Sequence, residues 1–192
     1  MWFLVPIHEL LHAIACLMTG GSVSELQIHP LFGGSQLARW IPWVTAGGRE
    51  AGRLAGFRPV GDLGYLTTVL APHLVLAPIG AWICRRAVDR HNVLAFGLGA
   101  AAALQPLASL TGDMLEAVAI PVTRVVAWAG WPEALDLRVD SLGRLAAAAT
   151  ALGGLATWLL AAVLLILGAL AASAILGFSG GVAPRPAQPA AT

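Results

Sequence analysis

His8-Glu9-Leu10-Leu11-His12 lies inside an otherwise apolar stretch of the chain, about residues 2–19, which ends at Gly20-Gly21. Residues four apart on an α-helix lie one turn apart on the same face, so both imidazoles point to the same place. An acidic side chain at the centre of a transmembrane helix costs about 2.5–3.5 kcal/mol and marks a functional site. We therefore predict a membrane-spanning helix that carries a site on one face.

The composition agrees with a membrane environment. Of the 192 residues, 58% are hydrophobic and 11% are charged, and the mean hydropathy is +0.79. Soluble domains are about 25% charged, so this chain lacks the polar surface that a water-facing globule requires. The net charge of +1 offers no case for a nucleic-acid partner. We expect an integral, multi-pass protein in the lipid bilayer.

Four stretches are long enough to cross a bilayer, at about residues 2–19, 63–84, 93–112 and 150–177. The predicted fold is an all-α membrane protein, a bundle of about four transmembrane helices forming a single domain over residues 1–178, with a disordered tail over 179–192. The last apolar run exceeds the ~20 residues of one upright crossing, which makes Gly153-Gly154 a candidate break. The distribution of arginine favours an amino terminus outside the cell.

Two connecting segments have patterns of their own. Val23 to Ile28 alternates apolar and polar residues and is followed by Gly33-Gly34, which predicts a short β-hairpin or an irregular membrane-associated loop. Such glycines, with Gly47-Gly48, would shape either plain turns or an edge that pairs with an unwound substrate. Met114 to Arg144 is apolar but interrupted by prolines and an arginine, and is predicted to be interfacial or re-entrant.

The spacing of His8 and His12 is typical of a zinc site in which Glu9 acts as a general base. Zinc lowers the pKa of a coordinated water toward ~7, and a carboxylate about 100° around the helix can reach that water. A catalytic zinc also needs a third protein ligand and an open position. We predict Asp113, at the end of the third span, as that ligand, with Glu116 as the alternative.

The residues from Ile7 to Ala15, followed by Thr19-Gly20-Gly21 and a short amphiphilic strand, resemble the site-2 protease family of intramembrane zinc metalloproteases. The resemblance implies Zn²⁺ as cofactor, a membrane-protein substrate cut in or near its transmembrane segments, and a place in a bacterial inner membrane. It also implies that a later core helix supplies an aspartate ligand. Here Gly112 precedes Asp113 instead of following it, and no asparagine accompanies Pro106.

Other interpretations stay open. His73, between Pro72 and Pro78 in the second span, either hydrogen-bonds to a substrate backbone or oxyanion or is satisfied by a neighbouring helix. The alternative function is a non-proteolytic membrane protein that keeps zinc for structure or regulation. An ion transporter would repeat polar residues along several spans, whereas the third and fourth are almost purely apolar. The oligomeric state is not predicted.

Overall fold

The computed structural model of the protein describes residues 3–48, 50–128 and 154–182. Its described part is mostly helical with a small three-stranded sheet. In chain order the elements are α1 (Leu4–Met18), β1 (Ser22–Ile28), a 3₁₀ turn (Pro30–Phe32), α2 (Gly34–Leu37), β2 (Val44–Ala46), β3 (Gly52–Arg58), α3 (Gly61–Asp89), α4 (Val93–Ala103), α5 (Gln105–Ala108), α6 (Asp113–Trp128) and α7 (Gly154–Val182).

Helix α1 buries one face against the long helix α3. Its buried residues include Leu4, His8, His12 and Cys16, which repeat every four positions and so form one stripe along the helix. The opposite face carries exposed apolar side chains, among them Met18, which is 82% exposed. Both faces of α1 are apolar, so hydrophobic periodicity does not distinguish the face that packs against α3. In the structure, the face that carries His8 and His12 is the one in contact with α3.

The sheet follows α1 directly. β1 lies in the middle, parallel to β2 and antiparallel to β3. Leu26 and Ile28 on β1 are buried with Val44 on β2 and form a small apolar core. The predicted strand over residues 23–28 is therefore present, in a sheet that adds β2 to the expected hairpin-like pair. β3 also contacts α1, which places this strand beside the His-Glu motif.

Glycines let α3 and α4 approach closely. A Cβ on Gly80 would lie 2.4 Å from the backbone nitrogen of Ala103 and 2.5 Å from the carbonyl oxygen of Gly99. No side chain fits at that distance, so the contact requires glycine at position 80. Small residues at helix contacts are common in membranes because they bring two backbones together.

Helix α6 lies between α3 and α7. Met114 is fully buried against Ala77 of α3 and Ala172 of α7, and Leu115 packs against Leu164 of α7. This packing holds the first turn of α6 inside the molecule. Asp113, the first residue of the helix, is therefore carried toward α1 and α3.

The predicted four-span bundle is reproduced only in part. Within the described residues, two helices are long and apolar enough to cross a membrane, Gly61–Asp89 and Thr157–Gly181. α1 has 15 residues and a length of about 22 Å, less than the ~30 Å of a bilayer core. The third predicted span, 93–112, is divided into α4 and α5. Pro106 explains the division, because it has no N–H to donate back along the helix.

The remaining predictions fall partly outside the described residues. α7 extends to Val182 with Ser179 buried, so residues 179–182, predicted to be tail, are helical. Gly154 begins α7, while Gly153 and the tail from 183 lie outside the description. The segment predicted to be interfacial or re-entrant begins as the regular helix α6, and its residues 129–144 are likewise not described.

Candidate metal centre

The two histidines of the motif meet as the helix predicts. His8 and His12 are each 7% exposed, and their Nε2 atoms lie 3.1 Å apart on the face of α1 that packs against α3. Their rings are nearly perpendicular, with centroids 4.7 Å apart. Both ring nitrogens therefore point into a shared space between the helices.

Asp113 faces this pair from α6. Its Oδ2 atom lies 2.9 Å from Nε2 of His8 and 3.5 Å from Nε2 of His12. The structure thus brings together the three side chains that we predicted as metal ligands. Their setting differs from the prediction, since Asp113 starts a new helix after a turn over residues 109–112 instead of ending the third span.

A further imidazole reaches the same carboxylate oxygen. His73 on α3 is fully buried, and its Nε2 lies 2.8 Å from Oδ2 of Asp113. Candidate ligand atoms of His8, His73 and Asp113 all lie within 4.8 Å of one another, so this group could hold a metal ion. The sequence singled out His73 as an unusual intramembrane histidine, but its distance from Asp113 is set by the tertiary fold and could not be predicted.

The donor atoms suit a small divalent cation. With zinc–nitrogen bonds of about 2.0–2.1 Å, tetrahedral ligand atoms would lie roughly 3.3 Å from one another. The observed separations of 2.8–3.5 Å around Oδ2 of Asp113 bracket that value. Ring nitrogens can bind a cation through their lone pairs, so a bound ion would accommodate all the nitrogens that surround this carboxylate oxygen. The Nδ1 atoms of His8 and His73 are buried and have no hydrogen-bond partner among the described residues.

A proline in α3 helps to orient His12. Pro72 lies inside the helix and has no N–H, so the carbonyl oxygen of Thr68 lacks its helical donor. Nδ1 of His12 donates to this oxygen at 2.7 Å. The hydrogen bond fixes the proton on Nδ1 and leaves the Nε2 lone pair for a metal, which is how ligating histidines are commonly held.

A cavity of about 430 Å³ opens beside the cluster. Glu9, His12 and Asp113 line it together with β3, whereas His8 and His73 are not among the described residues that do. Gly52 of β3 lies against Glu9, since a Cβ there would come within 2.4 Å of the glutamate Cγ. β3 and the Glu9 side chain are therefore in close contact. On the side of His12 and Asp113, the cluster faces the cavity.

Glu116, the alternative third ligand, has a different environment. Its carboxylate lines the same cavity and accepts a hydrogen bond from Oη of Tyr65. Within the described part of the chain, the metal-type cluster consists of His8, His73 and Asp113, and it includes neither His12 nor Glu116. Comparison of the chain with protein-family models, with curated proteins and with solved structures gave no match.

Proposed function

We propose that the chain is an intramembrane zinc metalloprotease, similar to site-2 proteases, which hydrolyses peptide bonds in or near transmembrane segments of other proteins. One observation carries the proposal: His8, His12 and Asp113 converge beside a cavity that Glu9 also lines. Three protein ligands with one open side are typical of catalytic zinc.

Zinc is the proposed ion because imidazole and carboxylate donors at this spacing suit it. When bound, it supplies Lewis-acid chemistry that polarises a carbonyl group and acidifies water. Glu9 then has the role of general base, taking a proton from the attacking water and returning it to the leaving amine. The hydrogen bond from His12 to Thr68 keeps the imidazole in place during that proton transfer.

The proposed substrate binds in an extended conformation along β3. This strand pairs with β1 on one edge, and no strand of the described residues pairs with its other edge. Gly52 and Leu54 of β3 line the cavity with Glu9. A segment that adds to a sheet edge gains main-chain hydrogen bonds without sequence requirements, and in this position its backbone would pass the metal centre.

The exposed surface of α1 supports placing the site within the bilayer. Ile7, Ile14 and Met18 are 42%, 47% and 82% exposed on a helix whose other face buries the histidines. Contiguous exposed apolar surface of this kind is unusual in water and is natural in lipid. We propose that α3 and α7 cross the membrane and that the shorter α1 and α4 complete a multi-pass bundle in a bacterial inner membrane.

The proposal is tested with Glu9→Gln. Purified protein is reconstituted in liposomes with zinc and a single-span test substrate that carries a tag at each end. We expect the parent to cleave this substrate and the variant to lose about 10²–10⁴-fold in rate, the contribution typical of general-base catalysis. Zinc content should be the same in both proteins, because Glu9 is not a proposed ligand.

A matched control is His91→Asn, in the exposed turn between α3 and α4. His91 has a φ of +51°, which asparagine tolerates, so this variant removes an imidazole without touching the site and should cleave like the parent. If zinc-loaded parent and Glu9→Gln proteins behave identically, the alternative of a structural or regulatory zinc site is favoured. The extra buried imidazole of His73 is the observation on which that alternative rests.

A further inference from the structure

We propose that His73 is itself a metal ligand, so that the ion is held by three imidazoles and the carboxylate of Asp113. The inference rests on the metal site of the proposed function but not on peptide hydrolysis. Sequence motif and family resemblance assign only His8, His12 and Asp113 to the metal, and they leave His73 as a histidine of the second span. The argument for His73 comes from its distances and its burial.

The position of His73 matches that of His8. Both Nε2 atoms contact Oδ2 of Asp113, at 2.8 Å for His73 and 2.9 Å for His8. Their ring centroids lie 5.1 Å apart. In both residues Nδ1 is buried and has no hydrogen-bond partner in the described part of the chain. The distances that place His8 beside Asp113 therefore place His73 there equally.

A role in contacting substrate does not fit this placement. His73 is 0% exposed, and the cavity beside the cluster is lined by His12 and Asp113 but not by His73. Its imidazole lies on the closed side of the cluster, away from the space that a substrate or an oxyanion could occupy. The first of the two sequence interpretations of His73 is therefore disfavoured.

A hydrogen bond from His73 to Asp113 is the competing account. Oδ2 of Asp113 has two lone pairs and three ring nitrogens within 3.5 Å. If the ion is bound by His8, His12 and one lone pair of Oδ2, the N–H of His73 can use the other lone pair. Coordination by His73 instead requires that its Nε2 presents a lone pair to the cation, so the two accounts differ in the number of imidazoles bound to the ion.

With four protein ligands, catalysis would require a fifth coordination position on the cavity side, whereas four ligands alone are typical of a structural zinc site. Two triads share His8 and Asp113, one completed by His12 at the cavity and the other by His73 on the closed side. With both in place, the ion would lie next to the cavity that Glu9 also lines. The ion would then be held more tightly than by two histidines and an aspartate.

The first test uses the unmodified protein, so it does not depend on any variant folding. X-ray absorption at the zinc edge, recorded on the purified zinc-loaded protein, counts imidazole ligands by their multiple-scattering signal. We expect three imidazoles together with oxygen ligands. A spectrum that is fitted by two imidazoles overturns the proposal.

The second test compares His73→Gln with the control His91→Asn in zinc affinity, measured against a competing chelator. Glutamine can still donate a hydrogen bond to Asp113 but is a poor zinc ligand. Losing a residue that merely hydrogen-bonds to a ligand costs about 10–100-fold in affinity, so a fall of more than about 100-fold supports coordination, and a smaller fall contradicts it. If the absorption spectrum shows three imidazoles but the protein does not cleave the test substrate, the proposed protease function is refuted and coordination by His73 stands. If the protein cleaves the substrate and the spectrum shows two imidazoles, the protease function stands and coordination by His73 is refuted.

Discussion

The two halves of α3 differ in what their buried residues contact. In the site half, residues 61–76, Thr68 accepts a hydrogen bond from His12 and His73 contacts Asp113. In the packing half, residues 77–89, Gly80 meets the backbone of α4 instead. One continuous helix thus combines a polar surface built for a metal with a small-residue surface built for helix contact. We therefore expect substitutions in the site half to change zinc affinity, and substitutions in the packing half to change the stability of the fold.

The largest effect is expected where the site half meets α6. Asp113→Ala removes the carboxylate that all three imidazoles contact and leaves them facing one another. We expect zinc affinity to fall by on the order of 100-fold or more, beyond the loss typical of residues that only hydrogen-bond to a ligand. Affinity is measured by competition with a chelator of known zinc affinity.

Glu116→Gln is the matched control for that experiment. Glu116 also lines the cavity, three residues further along α6, but its carboxylate accepts from Tyr65. Zinc affinity should stay close to that of the parent. Parent-like binding by Asp113→Ala, combined with a loss in Glu116→Gln, would transfer the ligand role to Glu116.

A smaller effect, on stability alone, is expected in the packing half. Gly80→Ala places a Cβ 2.4 Å from the backbone nitrogen of Ala103 and must push α4 away. Overpacking of this kind costs about 1–3 kcal/mol, while zinc affinity should hardly change. Thermal unfolding of the metal-free protein in detergent measures the difference.

Gly97→Ala provides the comparison for Gly80→Ala. Gly97 is also a helical glycine of the α3–α4 pair, but no atom of residues 3–48, 50–128 or 154–182 that would contact an added Cβ lies within 4 Å of it. The free energy of unfolding of Gly97→Ala should be roughly 0.5–1 kcal/mol higher than that of the parent, because alanine lowers the conformational entropy of the unfolded chain. Equal unfolding temperatures for the two variants would mean that the close contact between α3 and α4 is not required.

Local patterns in the sequence predicted the parts of the site that one helix or one strand determines. The spacing of His8 and His12 sets their common face, and alternation over residues 23–28 sets the strand. Helical periodicity and strand pleating act over a few residues, so a single sequence contains them. The same reasoning identified Asp113 only as an acidic residue at the end of the third apolar stretch.

What could not be predicted depends on contacts between distant segments. His73 lies 40 residues from Asp113 in the chain, yet their side chains are 2.8 Å apart. The helix is interrupted near Pro106, and after a turn over residues 109–112 the chain begins a new helix, α6, at Asp113. Hydropathy averages over such a break, which is why residues 93–112 were predicted as one span. No local pattern encodes how α6 packs between α3 and α7.

A smaller effect on zinc affinity than that of Asp113→Ala, and a more specific one, concerns the two prolines of α3, one in each half. Pro72→Ala supplies an N–H that can donate to the carbonyl oxygen of Thr68, where it competes with Nδ1 of His12. His12 then loses part of the bond that fixes its tautomer, and we expect zinc affinity to fall about 10-fold, the lower end of the range for such partners. Chelator competition measures this loss.

Pro78→Ala separates this effect from the general consequences of removing a proline. Both prolines interrupt the hydrogen bonding of the same helix, and replacing either should stabilise the metal-free protein by up to ~3 kcal/mol. Only Pro72 frees a carbonyl that a proposed metal ligand uses, so only Pro72→Ala should become more stable to heat and weaker in zinc binding at once. If both variants bind zinc equally well, the hydrogen bond between Thr68 and His12 does not orient the ligand, and the division of α3 into two halves loses its chemical meaning.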